Sequence, residues 1–111
     1  MTDFSLKGFI NFLIKEPFVM QQLGENEMQI EIKENFLVVS KIGIPREIHK
    51  HSGFEINGNR AIFNTSSNNL KKIIFERSEV NNIGGQRLYD VEFVYPGTSE
   101  KFKFYAHLLT T

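Results

Sequence analysis

The N-terminal segment is apolar around most of its circumference when it is drawn as a helix. The polar positions recur every four residues and are Lys7, Asn11 and Lys15. This period predicts an α-helix over residues 4–15. A proline disfavours helical geometry in the residue before it but suits a first helical turn, so we expect a kink at Pro17. A short helical turn over residues 17–23, stopped by Gly24, is predicted to follow.

From Glu27 onward the period of the apolar positions changes from helical to two. Met28, Ile30 and Ile32 alternate with polar residues, which predicts a strand with one buried face and an acidic outer face. The next apolar stretch, residues 36–42, is apolar on both faces in its middle. It therefore predicts a central strand that is covered on both sides.

An Asn-Gly pair gives the clearest local turn signal in the chain. Asn57-Gly58 supplies the positive φ angles that a type I′ turn requires, so residues 54–63 are predicted to form a tight hairpin. In this register Glu55 lies opposite Arg60. Residues 70–77 match a helical face as well as a strand, and their Ile-Ile-Phe run favours the strand.

The C-terminal part of the chain predicts a second hairpin after a connection at residues 81–86. Residues 89–95 and 100–108 each alternate between apolar and polar side chains, and Pro96-Gly97 turns the chain between them. Pairing them buries Phe93 and places Glu92 beside a lysine on the outer face, so the apolar pattern and the charges agree on one register.

These elements predict an α+β fold. In it the N-terminal helix packs on a curved antiparallel meander sheet of about 6–7 strands, shaped like a half-barrel. The chain has 111 residues, enough for one domain and too few for two, so residues 1–111 are expected to form a single domain.

Composition narrows the function classes. Thirteen basic and thirteen acidic side chains give a net charge of zero, which argues against a general binder of nucleic acids or anionic membranes. The chain has no cysteine, which excludes disulfides, thiolate metal sites and a cysteine nucleophile. Its longest apolar stretches are too short to cross a bilayer, and its start does not resemble a signal peptide. We therefore expect a cytoplasmic protein that does not contact a membrane.

The sequence offers little catalytic chemistry. Ser66-Ser67 lacks the context of a nucleophile elbow, and Gly84-Gly85 lacks the lysine of a phosphate-binding loop. His49 and His51 would lie about 6–7 Å apart on one face of a strand, but residues 46–51 are equally typical of a solvated connection. We expect no enzymatic activity, no metal site and no cofactor.

The apolar helix carries the leading functional hypothesis. Such a helix is either wrapped by the sheet on several sides or has a second apolar face for a partner. Phe9, Phe12 and Leu13 span more than a third of its circumference, so we expect at least one of them outside the core and take the three as the predicted partner-binding face. Sheet edges that accept a strand from a partner would add to this surface. We therefore hypothesise a small non-enzymatic interaction module, such as an accessory, inhibitor or immunity-type protein. Its partner would be another protein or a second copy of the chain.

Two alternatives remain open. A Phe-rich helix over a curved sheet can leave a cavity between helix and sheet, as in a carrier of small apolar ligands. Residues 41–77 hold seven basic and three acidic side chains, which fits a weak nucleic-acid binder. The candidate basic strip consists of Lys41, Arg46, Lys50, Lys71 and Lys72.

Overall fold

The computed structural model describes residues 5–16, 18–24, 28–66, 69–83 and 86–108. Within these ranges the chain forms one helix and eight strands. They are α1 (Leu6–Lys15), β1 (Phe18–Gln22), β2 (Gln29–Ile32), β3 (Phe36–Lys41), β4 (Ile44–Asn57), β5 (Arg60–Thr65), β6 (Lys72–Ile83), β7 (Gln86–Tyr95) and β8 (Thr98–Leu108). Neighbouring strands pair antiparallel in chain order, which confirms the α+β class and the meander. Because β1 also pairs with β8, the sheet closes into a barrel.

The prediction of a half-barrel with 6–7 strands is therefore wrong in strand number and in closure. The missing strand is β1, which occupies the segment predicted as a helical turn; Pro17 itself lies outside the described residues. Met20 of β1 lies opposite Ile30 of β2 and Ala106 of β8, so this strand completes the ring. Ring closure gives every described strand a neighbour on both sides, although residues 44–49 of β4 have ladder partners only in β3. Addition of a partner strand to a sheet edge stays a prediction.

Strand β4 is longer than the sequence pattern indicates. It starts at Ile44, directly after a turn in which Gly43 has a φ of 80°, so the solvated connection predicted at residues 46–51 is in fact strand. The register of β4 against β5 shifts between His51 and Phe54, where Gly53 has a φ of 115°. Such a bulge bends a strand, which helps a long strand follow the curve of a barrel.

The hairpin of β4 and β5 forms as predicted but in a shifted register. Asn57 lies opposite Arg60 and Glu55 opposite Ile62, so the loop is Gly58-Asn59 rather than Asn57-Gly58. The shift is two residues, which keeps every side chain on its predicted face, and the apolar pattern therefore cannot distinguish the two registers. Gly58 takes the positive φ of 63° that the turn requires.

The other strand predictions are largely confirmed. Residues 28–32 give β2 with a buried face, and the strand alternative holds for residues 70–77, which belong mostly to β6. In the last hairpin Glu92 lies opposite Lys101 and Phe93 is buried. The connection predicted at residues 81–86 is shorter, since β6 extends to Ile83 and β7 begins at Gln86.

Helix α1 closes one end of the barrel. It begins after Ser5, whose Oγ accepts a hydrogen bond from the amide of Gly8 at 3.0 Å, a typical N-cap. Ile10 and Leu13 are fully buried in the interior, and the helix contacts β2 and β5 on different sides of the ring. Phe9 stacks on Tyr89 of β7 with 4.5 Å between ring centroids. We call this the capped end.

Candidate ligand site at the open mouth of the barrel

The end of the barrel opposite α1 holds a cavity of about 400 Å³, which we call the mouth cavity. Strand β7 runs from the capped end to this cavity, because Tyr89 in its first half contacts α1 and Tyr95 at its last position lines the cavity. The cavity has an apolar floor and a polar rim. The floor residues are Met28, Val39, Leu70, Phe93 and Phe102, and the polar lining residues are Lys41, Glu47, His49, Asn69 and Tyr95.

The floor is built from the inward-facing positions of strands and from residues just before strands. Met28 precedes β2 and Leu70 precedes β6, and both are buried. The rings of Phe93 and Phe102 pack edge to face, with 6.1 Å between their centroids. This floor can receive an apolar or aromatic group without losing polar hydration.

His49 lines this cavity and carries a buried nitrogen without a hydrogen-bond partner among the described residues. Its position opposite the buried Leu37 turns the ring inward, and the residue is only 8% exposed. Nε2 lies 3.3 Å from Oε1 of Glu47, whereas Nδ1 is buried and has no hydrogen-bond partner among the described residues. A carboxylate only accepts, so in the neutral ring Nε2 carries the proton and Nδ1 is an acceptor. Burying such an acceptor without a hydrogen bond lowers the stability of the folded protein by about 1–3 kcal/mol.

Tyr95 supplies a phenol at the rim. Burial raises the pKa of this hydroxyl above its ordinary value, and the negative charges of Glu100 and Glu47 and a hydrogen bond to Glu100 raise it further. The hydroxyl is therefore protonated at neutral pH and donates to Glu100. The negative charges of Glu47 and Glu100 thus lie close enough to Tyr95 to affect its hydroxyl. Lys41, the last residue of β3, lines the same cavity.

A second groove, of about 460 Å³, lies beside α1 at the capped end. Its polar lining includes Lys7, Asn11, Glu34 and His51. His51 is as buried as His49, but both of its nitrogens are bonded: Nε2 lies 2.9 Å from the carbonyl oxygen of Lys33, and Nδ1 accepts from the amide of Gly53 at 2.9 Å. His51 therefore joins β4 to the backbone at Lys33, after β2, and leaves no nitrogen for a ligand.

The three residues of the predicted partner-binding face lie in different environments. Leu13 is 1% exposed and belongs to the barrel interior, so it is not available to a partner. Phe9 is half-buried against Tyr89, and Phe12 is half-buried with its ring edge to face on Phe18 at 4.9 Å. A partner contact through Phe9 and Phe12 stays a prediction.

All five residues of the candidate basic strip are exposed. Lys41 ends β3, Arg46 and Lys50 lie on β4, and Lys71 and Lys72 lie at the start of β6. The strip is thus spread over three strands. Nucleic-acid binding through it stays a prediction.

An exposed apolar patch on the hairpin of β3 and β4 was not predicted. Ile42 is 74% exposed, Ile44 52% and Ile48 65%. Ile42 lies in the turn, and Ile44 follows opposite Lys41. We call these three residues the isoleucine patch.

Sequence reasoning missed the mouth because two of its polar residues, Glu47 and His49, lie in a segment that was interpreted as a connection. A strand through residues 46–51 puts Glu47, His49 and His51 on one face, and this alternation was the available signal. The expectation of solvated histidines is corrected for His49 and His51, which are both buried. Their common face is confirmed.

Neither a metal-ligand cluster nor a membrane-spanning helix is found within the described residues. Across the described ranges, no three His, Cys, Asp or Glu side chains are grouped as metal ligands. A search limited to those ranges also finds no helix of the length and hydropathy that a bilayer span requires. No protein-family model matches the chain, and searches of curated proteins and of solved structures found no match.

Proposed function

We propose that the protein binds a small organic molecule in the mouth cavity and acts as a carrier or sequestering protein without catalysis. The observation that carries this proposal is the cavity with an apolar floor, whose wall includes the buried His49 with its unmatched Nδ1. The interior of an eight-stranded barrel is just wide enough to be filled by side chains or to hold one small ligand. Here Ile10 and Leu13 fill the capped end, and the mouth keeps its cavity.

The lining suggests how a ligand would be held. A volume of about 400 Å³ lies at the small end of the range for ligand pockets. An apolar or aromatic body would lie on Leu70, Phe93 and Phe102. A hydroxyl or N–H group would donate to Nδ1 of His49 after a rotation of the imidazole that turns this buried atom toward the cavity. This hydrogen bond removes the cost of the unmatched acceptor, so it favours ligands with one donor over purely apolar ones.

The proposal is tested with 2-phenylethanol, a neutral probe with one ring and one hydroxyl donor. We expect a Kd on the order of 1 mM, with amide NMR shifts at Leu70, Phe93 and Phe102. Two variants with matched chemistry locate the site. Asn69→Trp narrows the mouth cavity and should abolish the shifts, whereas Asn11→Trp narrows the groove beside α1 and should leave them unchanged.

Two results would contradict the proposal. Shifts that Asn11→Trp removes and Asn69→Trp preserves would place the ligand beside α1, between helix and sheet. Absence of any saturable shift with up to about 20-fold more probe than the expected Kd would reject small-ligand binding for this class of compound.

A second candidate function, interaction with a protein partner, is favoured by the isoleucine patch. Exposed apolar clusters of this kind are typical of association surfaces. If the partner is a second copy of the chain, the double variant Ile42→Ser, Ile44→Ser should lower self-association in sedimentation velocity. Ile56→Ser, at an exposed apolar position elsewhere on β4, should not. Phe12→Lys tests the helix face in the same assay.

A further inference from the structure

We infer that the mouth cavity selects organic cations, namely a primary amine carried on a small aromatic or aliphatic body. This inference rests on the proposed function, because it specifies the ligand of the same site. The apolar floor would hold the body of the ligand, and the ammonium group would lie at the rim between Glu47 and Glu100.

Glu47 is placed to accept from a ligand as well as from His49. Its Oε1 lies 3.3 Å from Nε2 of His49, and its side chain is 60% exposed at the edge of the cavity. A carboxylate has about four acceptor sites, and the imidazole occupies one. Glu47 therefore keeps capacity for an ammonium that reaches the rim.

Glu100 contributes the second negative charge through Tyr95. The phenol of Tyr95 lines the cavity and donates to Glu100. Glu100 lies opposite the cavity-lining Phe93 in the pairing of β7 with β8, so it belongs to the inner face of the sheet at the mouth. Burial of Tyr95 and the negative charges of Glu100 and Glu47 raise the pKa of this phenol, in keeping with that placement. A cation beside the Tyr95 oxygen is attracted by both.

The positive charge that opposes this selectivity is Lys41. It lines the same cavity from the end of β3, and it is exposed to solvent, which screens its charge. Lys41 and an incoming ammonium repel each other, so Lys41→Gln should tighten amine binding. If Lys41 dominated the rim instead, the site would prefer a carboxylate ligand.

Three probes of similar size separate these cases: 2-phenylethylamine, 2-phenylethanol and 3-phenylpropionate. Near neutral pH and at low salt we expect the amine to bind about threefold to tenfold tighter than the alcohol, and the carboxylate to bind weakest. About 0.3 M sodium chloride should reduce the preference for the amine through screening, while the affinity of the alcohol stays unchanged.

Substitutions of Glu47 and Glu100 test whether the rim carboxylates cause the preference for the amine over the alcohol. Glu47→Gln and Glu100→Gln should each lower amine affinity toward that of the alcohol, and both keep an oxygen acceptor for their native partner. Glu55→Gln, an exposed carboxylate beyond the bulge of β4, is the matched control and should change nothing. Amide NMR spectra without probe check that each variant is folded, and either rim variant alone suffices for the test.

The outcomes separate this inference from the proposed function. Equal affinities for amine and alcohol in the unmodified protein would overturn cation selectivity and leave the ligand site intact. Tightest binding of 3-phenylpropionate would assign the rim to Lys41 and likewise overturn it. If none of the three probes binds, both the inference and the proposed function fail.

Discussion

The two ends of the barrel are built from the same strands, and they differ in how their buried polar atoms are bonded. His51 at the capped end and His49 at the mouth lie two residues apart on one face of β4, and each is 8% exposed. His51 has backbone partners at both nitrogens, whereas Nδ1 of His49 has none among the described residues. Burial is therefore the same at both histidines, and the number of hydrogen-bond partners distinguishes His51 from His49, for which we propose a role in ligand binding.

The packing of aromatic rings also differs between the two ends, and it is denser at the capped end. At the capped end the ring of Phe63 contacts three other rings, those of His51, Phe54 and Phe75, at centroid distances of 4.9, 5.2 and 5.6 Å. At the mouth Phe93 meets one ring, that of Phe102, and borders the cavity. We therefore expect truncation of a ring to destabilise the protein more at the capped end than at the mouth.

The largest expected effect comes from truncating one phenylalanine at each end. Phe63→Ala should lower the free energy of unfolding by about 5 kcal/mol and Phe93→Ala by about 3 kcal/mol, since the side chain at the mouth already borders empty space. Urea denaturation followed by circular dichroism measures both. If Phe63→Ala does not fold, Phe63→Leu and Phe93→Leu give the same comparison. A loss at Phe93 equal to that at Phe63 would show that the mouth is as tightly packed as the capped end.

Replacing each histidine by leucine is expected to have the next largest effect. His51→Leu leaves the carbonyl of Lys33 and the amide of Gly53 without their partner, which should cost about 2 kcal/mol or more. His49→Leu removes an unmatched buried acceptor and should change the free energy of unfolding by less than about 1 kcal/mol while weakening ligands that donate a hydrogen bond. Equal destabilisation by the two variants would remove the distinction between the histidines.

The smallest expected effect is on the dependence of stability on pH and involves Tyr95. Its pKa in the folded protein is raised above the ordinary value of about 10, so the folded state favours the protonated phenol. The resulting stabilisation is complete below pH of about 10 and is lost as the pH rises through the raised pKa. We expect Tyr95→Phe to lose less stability than the unmodified protein over that range.

Absorbance of the phenolate provides the direct check. The difference in titration between the unmodified protein and Tyr95→Phe isolates Tyr95 from Tyr89 and Tyr105. Its midpoint should lie above the ordinary tyrosine pKa, and Glu100→Gln should lower it by removing a negative charge and a charged hydrogen-bond acceptor. A midpoint at the ordinary value would contradict the negative field at the rim.

Predictions from the sequence were accurate where two independent signals agreed. In the last hairpin the apolar alternation and the pairing of Glu92 with Lys101 select the same register, and the structure has it. They failed where only one signal was present. In β1 both Val19 and Met20 are buried, so a strand of five residues shows no period of two and resembles a helical turn.

The sequence by itself determined the helix, most of the strands and which side of each strand is apolar, because these follow from local periodicity and turn residues. Tertiary structure alone decided that the ring closes, since closure depends on pairing β1 with β8 across most of the chain. It also decided that His49 is buried and that the exposed Glu47 lies beside it at the rim of the cavity, in a segment whose sequence is typical of a solvated connection. A local pattern states what a side chain prefers, and only the closed barrel determines what surrounds it.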